Sequence, residues 1–258
     1  MEALNRISAV ALTTFRETIR NKVLLHLFGF AAAMMVLGWV VSNWSLGEPE
    51  KIIADIGLSV TTLSGVAIAL FSGIVLVWGE VEQKTILPIL AKPLPRRDYV
   101  VGKLVGFGGA VSIVYAGMNL LLLLLLLVFG EGITANILFS IYLSWWEVLI
   151  ITALALLFSS FSSPTLSALY TVMLFVAGRF SEDIRIYISD NPLAYSRWIL
   201  ESVYAIIPHF GAFNIRLEAV HNLQLTSGRL LIPSLYGLAY LTVIVVLTTI
   251  VFRRRDLA

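Results

Sequence analysis

The chain has 258 residues, of which 59% are hydrophobic and 13% are charged, and its formal net charge is +2. This composition lies outside the balance of soluble globular domains and indicates a membrane protein, while so small a net charge gives no reason to expect nucleic acid as a partner. Cysteine is absent from the sequence, which excludes a disulfide framework, a thiolate metal site and a thiol nucleophile.

The opening residues 1–22 mix apolar and charged side chains at helical spacing. Charges such as Arg16 and Arg20 fall on one side of that helix and apolar residues on the other. The pattern predicts a helix in the membrane interface with its apolar face toward lipid, and the alternative is a solvated lead-in to the first span. The apolar positions are Leu4, Ile7, Val10 or Ala11, Phe15 and Ile19.

Six later segments are long and apolar enough, at about 20 residues each, to cross a bilayer as helices. Eight consecutive leucines from Leu120 to Leu127 do not fit the alternating pattern of a membrane β-barrel strand. The sequence therefore predicts an all-α membrane protein with six transmembrane helices. The predicted spans are residues 23–42, 57–78, 104–129, 137–158, 164–180 and 233–252.

Basic residues set the orientation of these spans, because lysine and arginine near a span end hold that end in the cytoplasm. Basic clusters precede the first span, follow the second and follow the last, which predicts that both termini are cytoplasmic. The clusters are Arg16, Arg20 and Lys22, then Lys84, Lys92, Arg96, Arg97 and Lys103, and finally Arg253, Arg254 and Arg255.

The connection of residues 181–232 is too long for a simple turn and carries mixed charge. Its stretch "PLAYSRWILESVYAIIP" predicts a short amphipathic helix at the external interface, with Pro192 and Pro208 near its ends. A re-entrant pair that enters the outer leaflet is equally compatible with the pattern, provided that its irregular backbone is buried in protein.

Motifs of self-contained catalysis are missing from the sequence. It contains no GxxxxGK[ST] loop for a nucleotide phosphate, and His26, His209 and His221 are too isolated for a zinc protease motif. We therefore expect neither catalytic residues nor metal or cofactor ligands in this chain, and an intramembrane enzyme is the least favoured function.

Glu147 is the acidic residue that lies well inside a predicted span. A charge at the bilayer centre costs about 2.5–3.5 kcal/mol on insertion scales, so such a residue is a candidate for function. Trp145 and Trp146 favour the interface, which predicts that Glu147 lies near the external end of its span. Structural anchoring and a role in a transport pathway both remain open.

Small residues recur every fourth position on the second span, at Gly65, Ala69 and Gly73. This spacing lets another helix approach closely. The partner is either a helix of the same chain or a second subunit. Gly102 and Gly106 form a similar pair at the start of the third span.

Four motifs together resemble the ABC-2 type permeases over essentially the whole chain. They are "FRETIRNK" in the N-terminal helix, "EQKTILPILAKPLPRRDYVVGK" between the second and third spans, "PHFGAFN" in the long connection and "FRRRDL" after the last span. Within that family the chain looks most similar to the permeases of copper-enzyme maturation and of gliding motility.

The resemblance implies a single ABC-2 (type V exporter-like) permease domain over residues 1–258, in a bacterial inner membrane. It also implies two separate ATP-binding cassette ATPase subunits, which would hold ATP and Mg, and a second copy or sister permease. In such permeases a coupling helix between spans two and three contacts the ATPase, which assigns that role to residues 79–103. The predicted coupling contacts are Glu82, Gln83, Lys84, Thr85, Ile86, Leu87, Arg96 and Arg97.

The residues of this segment support coupling independently. Pro93 and Pro95 fix the backbone angle at which it ends. A merely solvated loop would explain the basic residues but not the apolar Ile86, Leu87 and Leu90 beside them.

Two functions are candidates, the first implied by the resemblance and the second suggested by the length of the external connection. The first is ATP-driven export along a seam between two permeases, and its predicted lining residues are Thr165, Ser167, Tyr170, Thr171 and Glu147. The second is a mechanical relay, in which residues 181–232 transmit ATPase motion to an extracytoplasmic protein without classical transport.

Overall fold

A computed structural model describes residues 2–42, 48–82, 95–129, 132–190, 197–226 and 228–254. Within these ranges every regular element is helical, so the predicted all-α fold is confirmed. The α-helices are α1 (Glu2–Ile19), α2 (Lys22–Ser42), α3 (Pro49–Glu82), α4 (Arg96–Phe129), α5 (Ala135–Ser159), α6 (Pro164–Arg179), α7 (Ser181–Asp190), α8 (Arg197–Ile206), α9 (Arg216–Val220) and α10 (Gly228–Arg254), and Phe210–Phe213 forms a 3-10 helix.

Five of the described helices, α2 to α5 and α10, are long and apolar enough to cross a membrane. The remaining predicted span corresponds to α6, which has 16 residues. At 1.5 Å per residue α6 is about 24 Å long, shorter than the roughly 30 Å hydrocarbon core. The count of six spans therefore stays a prediction.

Contacts at glycines show that α3, α4 and α5, which follow one another in the chain, alternate in direction. Gly57, Gly65 and Gly73 of α3 lie against positions 122, 115 and 107 of α4, so these two helices are antiparallel. Gly65 and Gly73 also lie against positions 148 and 155 of α5, so α3 and α5 are parallel. This alternation gives the bundle two distinct ends.

At one end, here called the terminal end, both ends of the described chain meet the start of α4. Tyr99 stacks on Phe252 of α10 at 5.4 Å between ring centroids, and Val10 of α1 packs against the same pair. The termini thus lie at the same end of the bundle, as the prediction of two cytoplasmic termini requires. The opposite end, here called the loop end, carries the described residues 181–190 and 197–226.

The core is built around α5. This helix contacts α3, α4, α6 and α10, and 67% of its membrane span is buried, against 22% for α2 and for α10. The first half of α5 keeps exposed apolar residues such as Leu138 and Tyr142, whereas residues 150–157 are all buried. Polar side chains on α5 are consequently held inside the bundle.

The N-terminal helix α1 packs along α4 rather than only on lipid. Any side chain at Gly106 would overlap the Ala11 backbone, and one at Gly102 would overlap Val10. The Gly102 and Gly106 pair therefore serves packing within the chain. The face of α1 that was predicted to be apolar has two environments. Leu4 and Ile19 are exposed, whereas the Val10 and Ala11 positions contact α4.

The long connection folds back onto the bundle through Phe210, Phe213 and Ile215, which are completely buried. Its exposed part includes the amphipathic α8, whose Trp198 and Ile206 are 67% and 73% exposed. The predicted amphipathic helix is present as α8, and the re-entrant pair stays a prediction. The connection is shorter than predicted, because α10 begins at Gly228.

Candidate functional site

The predicted coupling contacts are described only in part. Glu82 is the last residue of α3, and residues 83–87 lie outside the described ranges. Arg96 and Arg97 form the first turn of α4. Arg96 donates a hydrogen bond from Nη1 to the carbonyl oxygen of Phe252 at 3.1 Å, which ties the start of α4 to the end of α10, and Arg97 is exposed.

The small residues of the second span face the interior of the chain. A side chain at Gly65 would meet Tyr115 and Val148, and one at Gly73 would meet Phe107 and Ala155. Ala69 is completely buried. These positions let α3 pack closely against α4 and α5.

The predicted lining residues of α6 do not share one face. Ser167 and Thr171 are buried within the bundle, and the hydroxyl of Thr171 donates to the Ser167 carbonyl at 2.7 Å. Thr165 and Tyr170 are exposed, and the Tyr170 ring lies 5.6 Å from that of Phe158. Of these four residues, Thr165 and Tyr170 alone lie on the surface of the described part of the chain.

Glu147 lies deeper than its neighbouring tryptophans suggested. It is the central residue of α5 and is completely buried, so the prediction of a position near the external end is wrong. The two tryptophans pack between helices instead of at the interface. Trp145 donates from Nε1 to the Ser112 hydroxyl at 2.9 Å, and Trp146 lies against Gly237 of α10.

Arg179 is the ionic partner of Glu147. Its Nε lies 3.0 Å from Oε1 of Glu147, and its guanidinium carbon lies 5.8 Å from the centroid of the Phe175 ring. Neither oxygen of Glu147 accepts a hydrogen bond from a described residue. The pair therefore rests on charge attraction in a buried setting, where loss of one partner is costly.

A glycine brings Arg179 into this position. Gly178 lies so close to Phe210 and the Pro208 carbonyl that any side chain there would overlap both. The end of α6 can therefore rest directly on the 3-10 helix. Arg179, the next residue, then extends into the bundle toward α5.

A polar cavity of about 320 Å³ lies beside this pair, between α3, α5, α6 and the chain before α9. We call it the polar cavity. Two arginines, Arg179 and Arg216, and Asn214 are among its lining residues. Four residues with hydroxyl groups line it as well, Ser59, Thr62, Ser140 and Ser144.

A second ion pair borders the polar cavity near the start of α3. Nε of Arg216 lies 3.0 Å from Oδ1 of Asp55, and Nη1 of Arg216 donates to the Ser59 hydroxyl. Both side chains are about half exposed. Arg216 therefore connects the segment before α9 to α3 at the loop end.

His209 forms a neighbouring contact that joins the segment after α8 to α10. Its backbone N–H donates to the Tyr236 hydroxyl at 2.9 Å, and its Nδ1 lies 3.1 Å from the same oxygen. Burial lowers the pKa of His209 below its ordinary value of 6.5, Glu182 opposes that shift and Arg185 adds to it.

The sequence pattern indicates Glu147 but not the other charged and polar residues beside it, Arg179, Arg216, Asp55 and Asn214. A usable signal was present, because Arg179 ends an apolar segment in a chain with few charges. Cations at such a position usually mark the membrane boundary. The position of Arg179 in the sequence gives no sign of its partner Glu147, which lies on another helix.

Comparison with protein families gives one match. A family model described as ABC-2 family transporter protein matches residues 37–257, which is most of the chain. No curated protein is similar enough to count as a match.

Proposed function

The chain belongs to the ABC-2 transporter family, and from this premise we propose that it is a permease subunit that couples ATP hydrolysis to export. Membership makes it a multi-pass membrane subunit of an ABC transporter, which associates with ATP-binding cassette subunits. The proposal adds that it pairs with a second permease and exports its substrate from a bacterial cytoplasm. The narrower similarity to copper-enzyme-maturation and gliding permeases stays a prediction.

The lengths of α3 and α4 carry the proposal. Each has 34 residues, and a helix of that length spans about 51 Å, well beyond the roughly 30 Å hydrocarbon core. The two helices end and begin at the terminal end, α3 at Glu82 and α4 at Arg96. Parts of both helices therefore extend outside the core, where the connection between them can reach a soluble ATPase.

The first turn of α4 supports transmission of movement from that connection. Arg96 bonds to the Phe252 carbonyl, and Tyr99 stacks on the Phe252 ring. A displacement of the connection would therefore act on α10 as well as on α4. Direct contacts of this kind transmit a displacement from one helix to another better than a flexible loop does.

Export along a seam between two permeases is supported by the outer face of α6. Thr165 and Tyr170 are exposed there, as are Leu63 and Phe71 of α3. These positions are available to a second permease. The buried Ser167 and Thr171 would reach such a seam only after a rearrangement of α6.

A mechanical relay is the second candidate function. The observation that favours it is the firm seating of the long connection, because Phe210 and Phe213 are buried and the 3-10 helix touches Gly178. Movement of α6 would carry this segment along. The exposed Trp198 and Ile206 of α8 would then present that movement at the loop end.

A double substitution in the connection tests ATPase docking. We expect the tagged Lys84→Glu, Ile86→Asp variant to insert into membranes but to lose its ATP-binding subunits, because both changes place negative charge in the predicted contact. Co-purification from native membranes, with bound subunits identified by mass spectrometry, measures the loss.

The matched control is Arg185→Glu with Leu217→Asp, which makes the same charge changes at exposed positions of the loop end. This control should retain the ATP-binding subunits. Normal co-purification of the Lys84 and Ile86 variant would refute the docking proposal.

A further inference from the structure

The charged groups that line the polar cavity are both cations. Among the described residues, Arg179 and Arg216 line it and neither Glu147 nor Asp55 does. Each ion pair joins Nε of an arginine to one carboxylate oxygen. A guanidinium group has five N–H donors in a planar fork, so Arg179 keeps its outer nitrogens for another acceptor, whereas Nη1 of Arg216 already donates to Ser59.

Arg179 is the better placed of the two arginines. Within the described part of the chain, no hydrogen bond or ion pair joins its Nη1 or Nη2 to another residue. Contact with the Phe175 ring and attraction to the buried Glu147 hold its guanidinium in place. A fixed planar donor pair suits a bidentate oxygen ligand.

The remaining polar wall adds further donors. Ser140 and Ser144 stand one helical turn apart on α5, and both line the cavity. The side-chain oxygen of Asn214 accepts a hydrogen bond from the backbone N–H of Arg216 at 3.4 Å. The amide N–H groups of Asn214 therefore remain for a ligand. None of the described residues that line the cavity is acidic.

The shape of the cavity admits a ligand from the side of the bundle. Its volume of about 320 Å³ lies within the usual range of small-molecule sites, about 300–1,000 Å³. Leu63, which lines the cavity, is 62% exposed on the outer face of α3. The apolar wall of Leu58, Leu63 and Phe175 therefore runs from the polar groups to the surface of the bundle.

We propose that the polar cavity is a binding site for an oxyanion of the phosphate type, held between Arg179 and Arg216. The ligand is either a free phosphate ion or the phosphate group of a lipid whose chains lie along Leu63. The site goes beyond the proposed coupling function, because binding to the isolated subunit needs no ATPase. A failed binding test and a failed docking test are therefore separate results.

Titration of the purified full-length chain tests the site. The chain is held in a maltoside detergent, which has no phosphate, and binding is followed by calorimetry and by the shift in Tm. The probes are inorganic phosphate, a short-chain phosphatidylglycerol, and a short-chain diacylglycerol as the phosphate-free control. Binding of inorganic phosphate identifies a free-anion site, and binding of phosphatidylglycerol alone identifies a lipid headgroup site.

Two variants of the buried pair move affinity in opposite directions. Glu147→Gln removes a competing negative charge behind Arg179, so the phosphate probe should bind more tightly. Glu147→Gln with Arg179→Gln leaves no uncompensated buried charge and removes the donor fork. That variant should bind about tenfold or more weakly, since a hydrogen bond to a charged group contributes about 1.5–3 kcal/mol.

The control is Glu182→Gln with Arg185→Gln, which neutralises an exposed pair on α7 away from the cavity, and its affinity should equal that of the unaltered chain. The proposal is overturned if neither phosphate probe binds the unaltered chain, or if diacylglycerol binds as tightly as phosphatidylglycerol. Equal affinity of the Glu147, Arg179 double variant and the unaltered chain would overturn it as well.

Discussion

The two ends of the bundle are held together by different interactions. Two charged side chains of the described residues are buried, Lys103 near the terminal end and Glu147 at the middle of α5. Glu147 pairs with Arg179 of another helix. At the terminal end, glycines bring α4 close to α1, Tyr99 stacks on Phe252, and Arg96 donates to the Phe252 carbonyl.

Different physical demands explain this contrast. Helices in lipid gain little from burial of apolar surface against one another, so small residues and tight van der Waals contact join them. Charges inside the bundle persist where they are paired or serve a function. The comparison sets a terminal end joined by close packing of α1, α4 and α10 beside a loop end that carries the polar cavity.

The largest expected effect is at the buried ion pair. Arg179→Met leaves the buried Glu147 without its cationic partner, so the free energy of unfolding should fall by about 3–5 kcal/mol. Equilibrium unfolding in detergent measures the loss. Glu147→Leu with Arg179→Met should recover most of it, because a well-packed apolar pair can replace a buried ion pair. Equal destabilisation in both variants would show that the charge pairing does not hold the loop end.

A smaller effect is expected at the terminal end. Gly106→Ala places a methyl group against the backbone of Ala11, and overpacking of this kind costs about 1–3 kcal/mol. Gly29→Ala is the matched control, because nothing lies within 4 Å of the added carbon. Thermal unfolding of both variants measures the difference. A control as unstable as Gly106→Ala would remove the case for glycine-mediated packing of α1 on α4.

The smallest effect concerns pH and belongs to the loop end. The pKa of His209 is lowered in the folded chain from its ordinary value of 6.5. As the pH falls below 6.5, the imidazole therefore takes up a proton in the unfolded chain before it does so in the folded chain. Folding stability should therefore decline as pH falls from about 6.5 toward the folded-state pKa. The charged and titratable groups around the imidazole are Glu182, Arg185, Tyr204 and Tyr236.

His209→Gln should show a smaller decline in Tm than the unaltered chain when the pH is lowered from about 7 to about 5. Histidine ordinarily changes its charge within this interval. Thermal scans at intervals of pH measure this difference. The same decline in both proteins would assign the pH dependence to other groups.

Much of the fold could be predicted from the sequence. Long apolar segments, the run of leucines and the basic clusters predicted a helical membrane protein, and the family resemblance is confirmed by the match over residues 37–257. These features are local in the chain and depend on length and composition alone. Helix ends were less accurate, since α3 begins at Pro49 rather than residue 57.

The candidate site was predicted less well. Glu147 was identified because a charge in an apolar segment is conspicuous, but its depth was wrong because Trp145 and Trp146 were assigned to the interface. The site depends on Arg179 and Arg216, which reach it from distant parts of the chain. No spacing within one helix could reveal that meeting.

The sequence by itself determined that this chain lies in a membrane as helices, because hydrophobic length and the positions of basic residues act within each segment. Tertiary structure alone decided that α5 is central, that Gly178 brings Arg179 to Glu147, and that Arg216 faces it across the polar cavity. Those features arise from the packing of several helices against one another. A guanidinium at the end of a helix becomes part of a binding site only when a carboxylate and a cavity from other elements lie beside it.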